Sequence, residues 1–184
     1  RGESEQVASV LLNGRKVLYT VKDEHIVIDT REVANGENRV TIEFTANDQS
    51  LNRRDEFLYT LLVPDRARTL FPCFDQPDMK SLFTLSLEVP PSWQAVANGA
   101  IEQVDSTSVT GRRRVYFRET EPLSTYLFSF VAGKLTRETY SRDGRNISIY
   151  HRETDPKKVA QCSDIASEVF DALEWQEEYT QIPL

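Results

Sequence analysis

Polar and apolar residues alternate with a period of two along most of the chain up to residue 154, the signature of half-buried antiparallel strands. The run 39–44 is the clearest case: Val40, Ile42 and Phe44 are expected to face inward, with charged and hydroxylated neighbours outward. Residues 7–12 are apolar in both phases, which predicts a strand buried on both faces. It ends at Asn13-Gly14, a pair that favours positive φ at both positions and hence a tight hairpin. Further strands are predicted over 17–21, 25–28, 83–89, around Val115 and Phe117, and over 127–131 and 147–150. Turns are expected at Asn35-Gly36, Asn98-Gly99 and Asp143-Gly144, and a stop at Pro90-Pro91. Nine or ten short strands with regular turns imply a mostly β fold, an antiparallel β-sandwich.

The period changes at residue 155. Asp155 suits an N-cap and Pro156 a first helical position. Val159, Cys162, Ala166, Val169, Phe170 and Leu173 then recur at helical spacing, so one continuous amphipathic helix is expected to about Tyr179. Its apolar stripe needs a partner, either the sandwich or a second domain. Left bare, that stripe would drive association.

Between the two halves of the sheet lies the run 57–79, a short apolar strand followed by an irregular stretch. Pro64, Pro72 and Pro77 exclude regular sheet or helix there, because proline fixes φ and removes a donor. Phe71, Pro72, Cys73 and Phe74 put apolar bulk into this irregular stretch, so the loop is expected to pack inward. Asp75 and Asp78 flank it. They can be read as a general acid–base pair, or Asp75 as a cap on backbone amides in the turn it shares with Pro77.

Composition narrows the function classes. At 184 residues and 39% hydrophobic content the chain has material for a proper core. A net charge of −7 argues against a nucleic-acid partner, and the arginine clusters at 53–54, 66–68 and 112–114 read as solvated edges. Cys73 and Cys162 lack metal or redox spacing; two buried thiols or a disulfide between them are both open. Asn146-Ile147-Ser148 matches a glycosylation sequon, too short a pattern to decide anything. The opening residues are no signal peptide and no apolar run approaches the ~20 residues of a membrane span. The chain therefore reads as soluble, cytoplasmic or exported, with no membrane partner. His25 and His151 sit in separate predicted strands without the spacing of a zinc site, and no nucleophile elbow or phosphate loop occurs. Trp93, Tyr116, Phe117, Tyr126, Phe128 and Phe130 at sheet spacing suit a core or a stacking platform. The residues themselves give a sandwich with a helix and no active site.

The run FPCFDQPDMKSLFTLSLEVPPSW, followed by Ala97-Asn98-Gly99, resembles the N-terminal domain of the aminopeptidase N family of zinc metallopeptidases. That family carries an aromatic-Thr-Gln-x-Gln/Glu strand, then Ala-Arg, then Phe-Pro-Cys-Phe-Asp-Glu-Pro. This chain matches at Thr60, Ala67, Arg68, Phe71, Pro72, Cys73, Phe74, Asp75 and Pro77, with Gln76 in place of glutamate. Weaker likeness extends through Trp93, Asn98, Gly99 and Ile149-Tyr150 into the helix.

The resemblance implies a saddle-like sandwich of several sheets over residues 1–154, lacking its first strands. It makes residues 155–184 the first helix of a truncated catalytic domain. A chain cut in this way would hold no zinc, have no catalytic residue and hydrolyse nothing alone, because the family's Gly-x-Met-Glu-Asn loop and H-E-x-x-H helix lie beyond Leu184. Its partners would be that catalytic domain and, in the full-length protein, peptide substrates. The chain departs from the family at one place. The two polar strand residues that help hold a substrate's α-amine fall at Leu61 and Val63, which have no acceptor to offer an ammonium. The expected role is a non-catalytic wall of a zinc aminopeptidase's substrate cleft; the competing one is an interaction module or a domain of a degenerate peptidase.

Overall fold

The computed structural model describes residues 6–106 and 111–183, which form two compact units. Of the described residues the first comprises 6–91, 95–106 and 111–132, and it begins with β1 (Val7–Leu12), β2 (Arg15–Lys16), β3 (Tyr19–Lys22), β4 (His25–Ile28) and β5 (Val40–Phe44). Asn13 and Gly14 take φ of 51° and 79°, the tight turn their pairing predicts. β2 and β5 flank β1 in an antiparallel sheet, and β3 with β4 form a hairpin. Val10, Leu12 and Val17 are buried between them, with Tyr19, Ile26, Ile28 and Ile42 packed around.

Two expectations change here. β1 buries Val10 and Leu12 but leaves Ala8 exposed, so it is buried on one face. In β5 only Ile42 turns into the core, while Val40 and Phe44 are exposed. β5 is an edge strand, and a bulge between Val7 and Ser9 shifts its register where Phe44 pairs with Val7.

The remaining strands of this unit are β6 (Leu51–Arg53), β7 (Phe57–Thr60), β8 (Lys80–Ser81), β9 (Ser86–Val89), β10 (Gln94–Ala97), β11 (Ile101–Asp105), β12 (Arg113–Phe117), β13 (Leu123–Ser124) and β14 (Phe130–Gly133). They make sheets of order β10-β14-β7-β6 and β11-β12-β9, and a short β13-β8 pair. With β15 and β16 of the second unit, the described residues hold sixteen strands. Turns and prolines cut the sheet more finely than the nine or ten expected.

The main core joins Leu51, Leu62, Ala67, Leu70 and Phe128. Phe83 stacks on Phe128 at 4.5 Å and Phe71 meets Phe128 edge-on at 5.5 Å, so these rings are core rather than platform. Gly99 is not a positive-φ turn residue. It lacks a side chain because a Cβ there would lie 2.1 Å from the Arg118 carbonyl oxygen, whose own amide bonds to Ala100 O at 2.8 Å.

The second unit comprises residues 92–94 and 133–184. Its hairpin joins β15 (Thr136–Arg142) to β16 (Arg145–His151) through Asp143 and Gly144 at φ of 50° and 81°. The helix comes in two pieces, α1 (Pro156–Val159) and α2 (Cys162–Thr180), where one was expected. Asp155 caps α1 by accepting from the Lys157 amide at 2.9 Å. Ala160 and Gln161 keep right-handed angles, and a three-residue bond from the Gln161 amide to Lys158 O tightens one turn there.

α2 buries Cys162, Ala166 and Phe170 and packs on the β15–β16 hairpin. Arg142 covers the Phe170 ring at 4.9 Å, reaches Ser167 Oγ at 2.7 Å and pairs with Asp171; Arg145 pairs with Glu177 at 2.6 Å. Val169, assigned to the buried stripe by its spacing, is exposed, because the hairpin covers only one side of the helix. No helix among the described residues is long and apolar enough to cross a membrane.

Gly99→Ala forces backbone apart from backbone, so it is expected to cost about 2 kcal/mol or more. Urea unfolding of the two proteins reads this as a lower midpoint at unchanged slope.

Candidate functional site

The run 57–79 starts as β7 and leaves the sheet in a defined direction. The Thr60 hydroxyl accepts from the Phe130 amide at 3.1 Å and donates to its carbonyl at 3.4 Å, tying the end of β7 to β14. Beyond it the strand ends, and a turn follows in which the Arg66 amide donates to Leu62 O at 2.8 Å. The Leu61 amide donates to Ser50 O at 2.9 Å, and Leu62 turns into the core, 2% exposed. Leu61 and Val63 point the other way, 51% and 52% exposed. Within β7 the alternation turns Leu58 and Thr60 inward and sets Phe57, half-buried, and Tyr59, exposed, on the other side. The Phe57 and Tyr59 rings stack at 6.3 Å, almost parallel.

After Pro64 the Ala67–Thr69 turn is held through Arg68. The Arg68 amide donates to Asp75 Oδ2 at 3.0 Å. Its guanidinium reaches Glu24 at 3.0 Å, the Asp65 carboxylate at 3.2 Å and Asp75 at 3.8 Å. Glu24 and Asp65 hold that guanidinium firmly charged. Arg68 thus joins the β3–β4 turn, its own turn and the proline-spaced loop.

Asp75 is a cap, but for the amide seven residues upstream rather than for the turn it shares with Pro77. With its carboxylate, 7% exposed, committed to Arg68, it forms no acid–base pair with Asp78. The loop packs inward through Phe71 and Cys73, whereas Phe74 is 76% exposed, contrary to expectation. The reason is the backbone: the buried Thr125 hydroxyl donates to Phe74 O at 3.1 Å, and the buried Ser124 hydroxyl to Pro77 O at 2.5 Å. Carbonyls are held inward here, so the Phe74 ring turns out.

Cys73 and Cys162 are free thiols. Burial and then the Asp75 carboxylate push the Cys73 thiol up to about 12, against the opposing pull of Arg68. Beside β7 an open depression of about 320 Å³ is lined by Tyr59, Thr60, Val96, Ala97, Asn98, Ser129, Phe130 and Val131. Asn98 holds its far side, donating to Leu127 O at 3.1 Å and accepting from the Ser129 amide at 2.7 Å. His25 lies in the exposed β3–β4 hairpin; His151, in β16, lies 4.0 Å from Glu138. Among the described residues no three His, Cys, Asp or Glu side chains gather where they could share a metal, so these residues do not fit a zinc ion.

The family model of the peptidase M1 N-terminal domain matches residues 4–127, the whole of this proline-spaced segment included. The chain belongs to the peptidase M1 N-terminal domain family. Within that family it is 30% identical to aminopeptidase M1-A of Oryza sativa subsp. japonica over 186 residues, covering 94% of this chain and 21% of the rice protein. It is 38% identical to probable M1 family aminopeptidase 2 of Encephalitozoon cuniculi over 96 residues, covering 52% of this chain and 11% of that one. The chain therefore spans only a small part of these relatives. An M1 zinc metallopeptidase from Deinococcus radiodurans shares the fold, with a TM-score of 0.62 at 23% identity over 79% of this chain and 36% of that structure.

Of the residues that the resemblance singles out, Arg68 and Asp75 are joined by a hydrogen bond, Phe71 and Cys73 pack against the main core, the Pro77 carbonyl is held by Ser124, and Phe74 is turned out. Leu61 and Val63 stand apart from them, exposed in the segment that follows β7. Glu24, Ser124 and Thr125, which complete the corner, escaped sequence reasoning because their partners lie 44, 47 and 51 residues away and no local pattern marks them.

A thiol held at about 12 is about one part in ten thousand thiolate at pH 8, so Cys73 is expected to resist iodoacetamide in the folded protein and react in urea. Removing the Asp75 charge as Asp75→Asn lowers the Cys73 pKa and speeds alkylation severalfold. Because burial is the larger cause, the variant stays far slower than the unfolded chain. Rates at pH 8 and pH 9 check the sign.

Proposed function

We propose that this chain is the non-catalytic N-terminal domain of a zinc-dependent aminopeptidase and forms part of one wall of its substrate cleft. Residues 1–154 are the N-terminal domain in this reading, and residues 155–184 begin the catalytic domain. In this reading the zinc belongs to that catalytic domain. The family membership supports an M1 peptidase as the longer protein. The observation that carries the cleft reading is the segment after β7, where Leu61 and Val63 stand exposed at the positions that the resemblance assigns to substrate contact, with Leu62 buried between them.

The exposed pair also favours a second reading, a degenerate peptidase that binds without cleaving, because neither side chain accepts a hydrogen bond from an α-ammonium. Hydrolysis of aminoacyl chromogenic amides by the full-length protein, with and without a chelator, separates the two. Chelator-sensitive turnover is expected, and its absence would establish the second reading.

In an active protein, Leu61→Gln with Val63→Glu restores two acceptors. Michaelis constants for free-amine peptides are expected to fall about tenfold relative to N-blocked peptides, the scale of one charge-assisted hydrogen bond. An unchanged ratio would remove 61–63 from the cleft.

A further inference from the structure

The chain carries three Asn-Gly steps, at 13–14, 35–36 and 98–99, and the fold treats them differently. The Asn13 side chain is held from both ends: its Oδ1 accepts from the Arg39 amide at 2.8 Å, and its Nδ2 donates to Asn38 Oδ1 at 3.0 Å. Asn98 is held in the same way, by the Ser129 amide and Leu127 O, and the glycine after it is crowded by the Arg118 carbonyl. Asn35 differs from both. It is exposed, in the connection between β4 and β5, and among the described residues neither its side chain nor the Gly36 amide takes part in a hydrogen bond.

The turn around Asn35 is braced by Asn38, whose side chain accepts from the Ala34 amide at 3.0 Å and donates to Ala34 O at 2.8 Å and to Gly36 O at 3.0 Å. That brace fixes the flanking backbone and leaves Asn35 Cγ and Gly36 N unengaged. Gly36 has a φ of 89° and open space where a Cβ would stand, so nothing screens its nitrogen.

We propose that Asn35 is a deamidation site, the one Asn-Gly step of the three that the folded protein leaves open to succinimide formation. The Gly36 nitrogen attacks Asn35 Cγ, the Cγ–Nδ2 bond breaks, and the proton lost by the Gly36 nitrogen leaves with Nδ2 as ammonia. Water then opens the cyclic imide at either carbonyl, giving aspartate or, with the main chain rerouted through Cγ, isoaspartate. No oxidant or reductant takes part. Either product adds a carboxylate close to Glu37, and isoaspartate also lengthens the main chain by one atom ahead of β5. Asn13 and Asn98 must each give up two hydrogen bonds before the same attack, which slows it at least about tenfold.

The test holds the full-length protein in mildly alkaline buffer, folded or in urea. Peptide mapping follows all three steps, with deamidated and isoaspartyl peptides resolved by mass and retention. In the folded protein Asn35 is expected to convert at least about tenfold faster than Asn13 and Asn98, and in urea the three rates are expected to converge. An Asn35 that stays intact in the folded protein overturns the proposal. So does conversion of Asn13 or Asn98 at the Asn35 rate in the folded protein, or an Asn35 lead that persists in urea and so owes nothing to the fold.

Discussion

Asp75 accepts the backbone amide of Arg68, and the geometry of the whole candidate surface depends on that bond. Three prolines, Pro64, Pro72 and Pro77, break up the stretch between β7 and β8, so no ladder can satisfy its backbone groups. Backbone turns satisfy part of them, such as the Leu70 and Phe71 amides on Ala67 O, and side chains hold others. Asp75 takes the Arg68 amide, and the Ser124 and Thr125 hydroxyls take the carbonyls of Pro77 and Phe74. With both ends of the corner tied, the residues leaving β7 have one path, and Leu61 and Val63 point away from the core on it. Arg68 is more than a third exposed, so its ion pairs contribute by fixing geometry more than by raw energy.

The short segment after β7 therefore does two jobs. Leu62 enters a core with Leu51, Leu70 and Phe128, and burying such side chains contributes about 1.5–3 kcal/mol each. Its neighbours on either side receive none of that, yet are as apolar. Leu61 and Val63 are left at about half exposure on either side of the buried Leu62. The same logic governs the second unit, where the buried face of α2 is set by Cys162, Ala166 and Phe170 and by two hairpin arginines that grip its acidic positions.

Much of the fold was legible in the residues. Asn13-Gly14 and Asp143-Gly144 announced their hairpins, Asp155-Pro156 the helix start, and the Phe-Pro-Cys-Phe-Asp run its family. What could not be read was long-range. Nothing local says that β5 is an edge, so Val40 and Phe44 looked buried. The Asn98-Gly99 turn was inferred from φ preference, while the glycine is there for a close approach to Arg118. Phe74 looked like core because its neighbours are; the hydroxyl that turns it out lies 51 residues away. For the site, the positions of Leu61 and Val63 came from a resemblance, whereas the depression beside Tyr59 is lined from neighbouring strands that no local pattern brings together.

A crystal structure of the full-length protein with an uncleavable peptide bound tests the central claim most directly. Side chains of Leu61 and Val63 within van der Waals distance of the peptide's first residue are the expected result. A peptide seated elsewhere, with the 61–63 segment covered by another part of the protein, would contradict it.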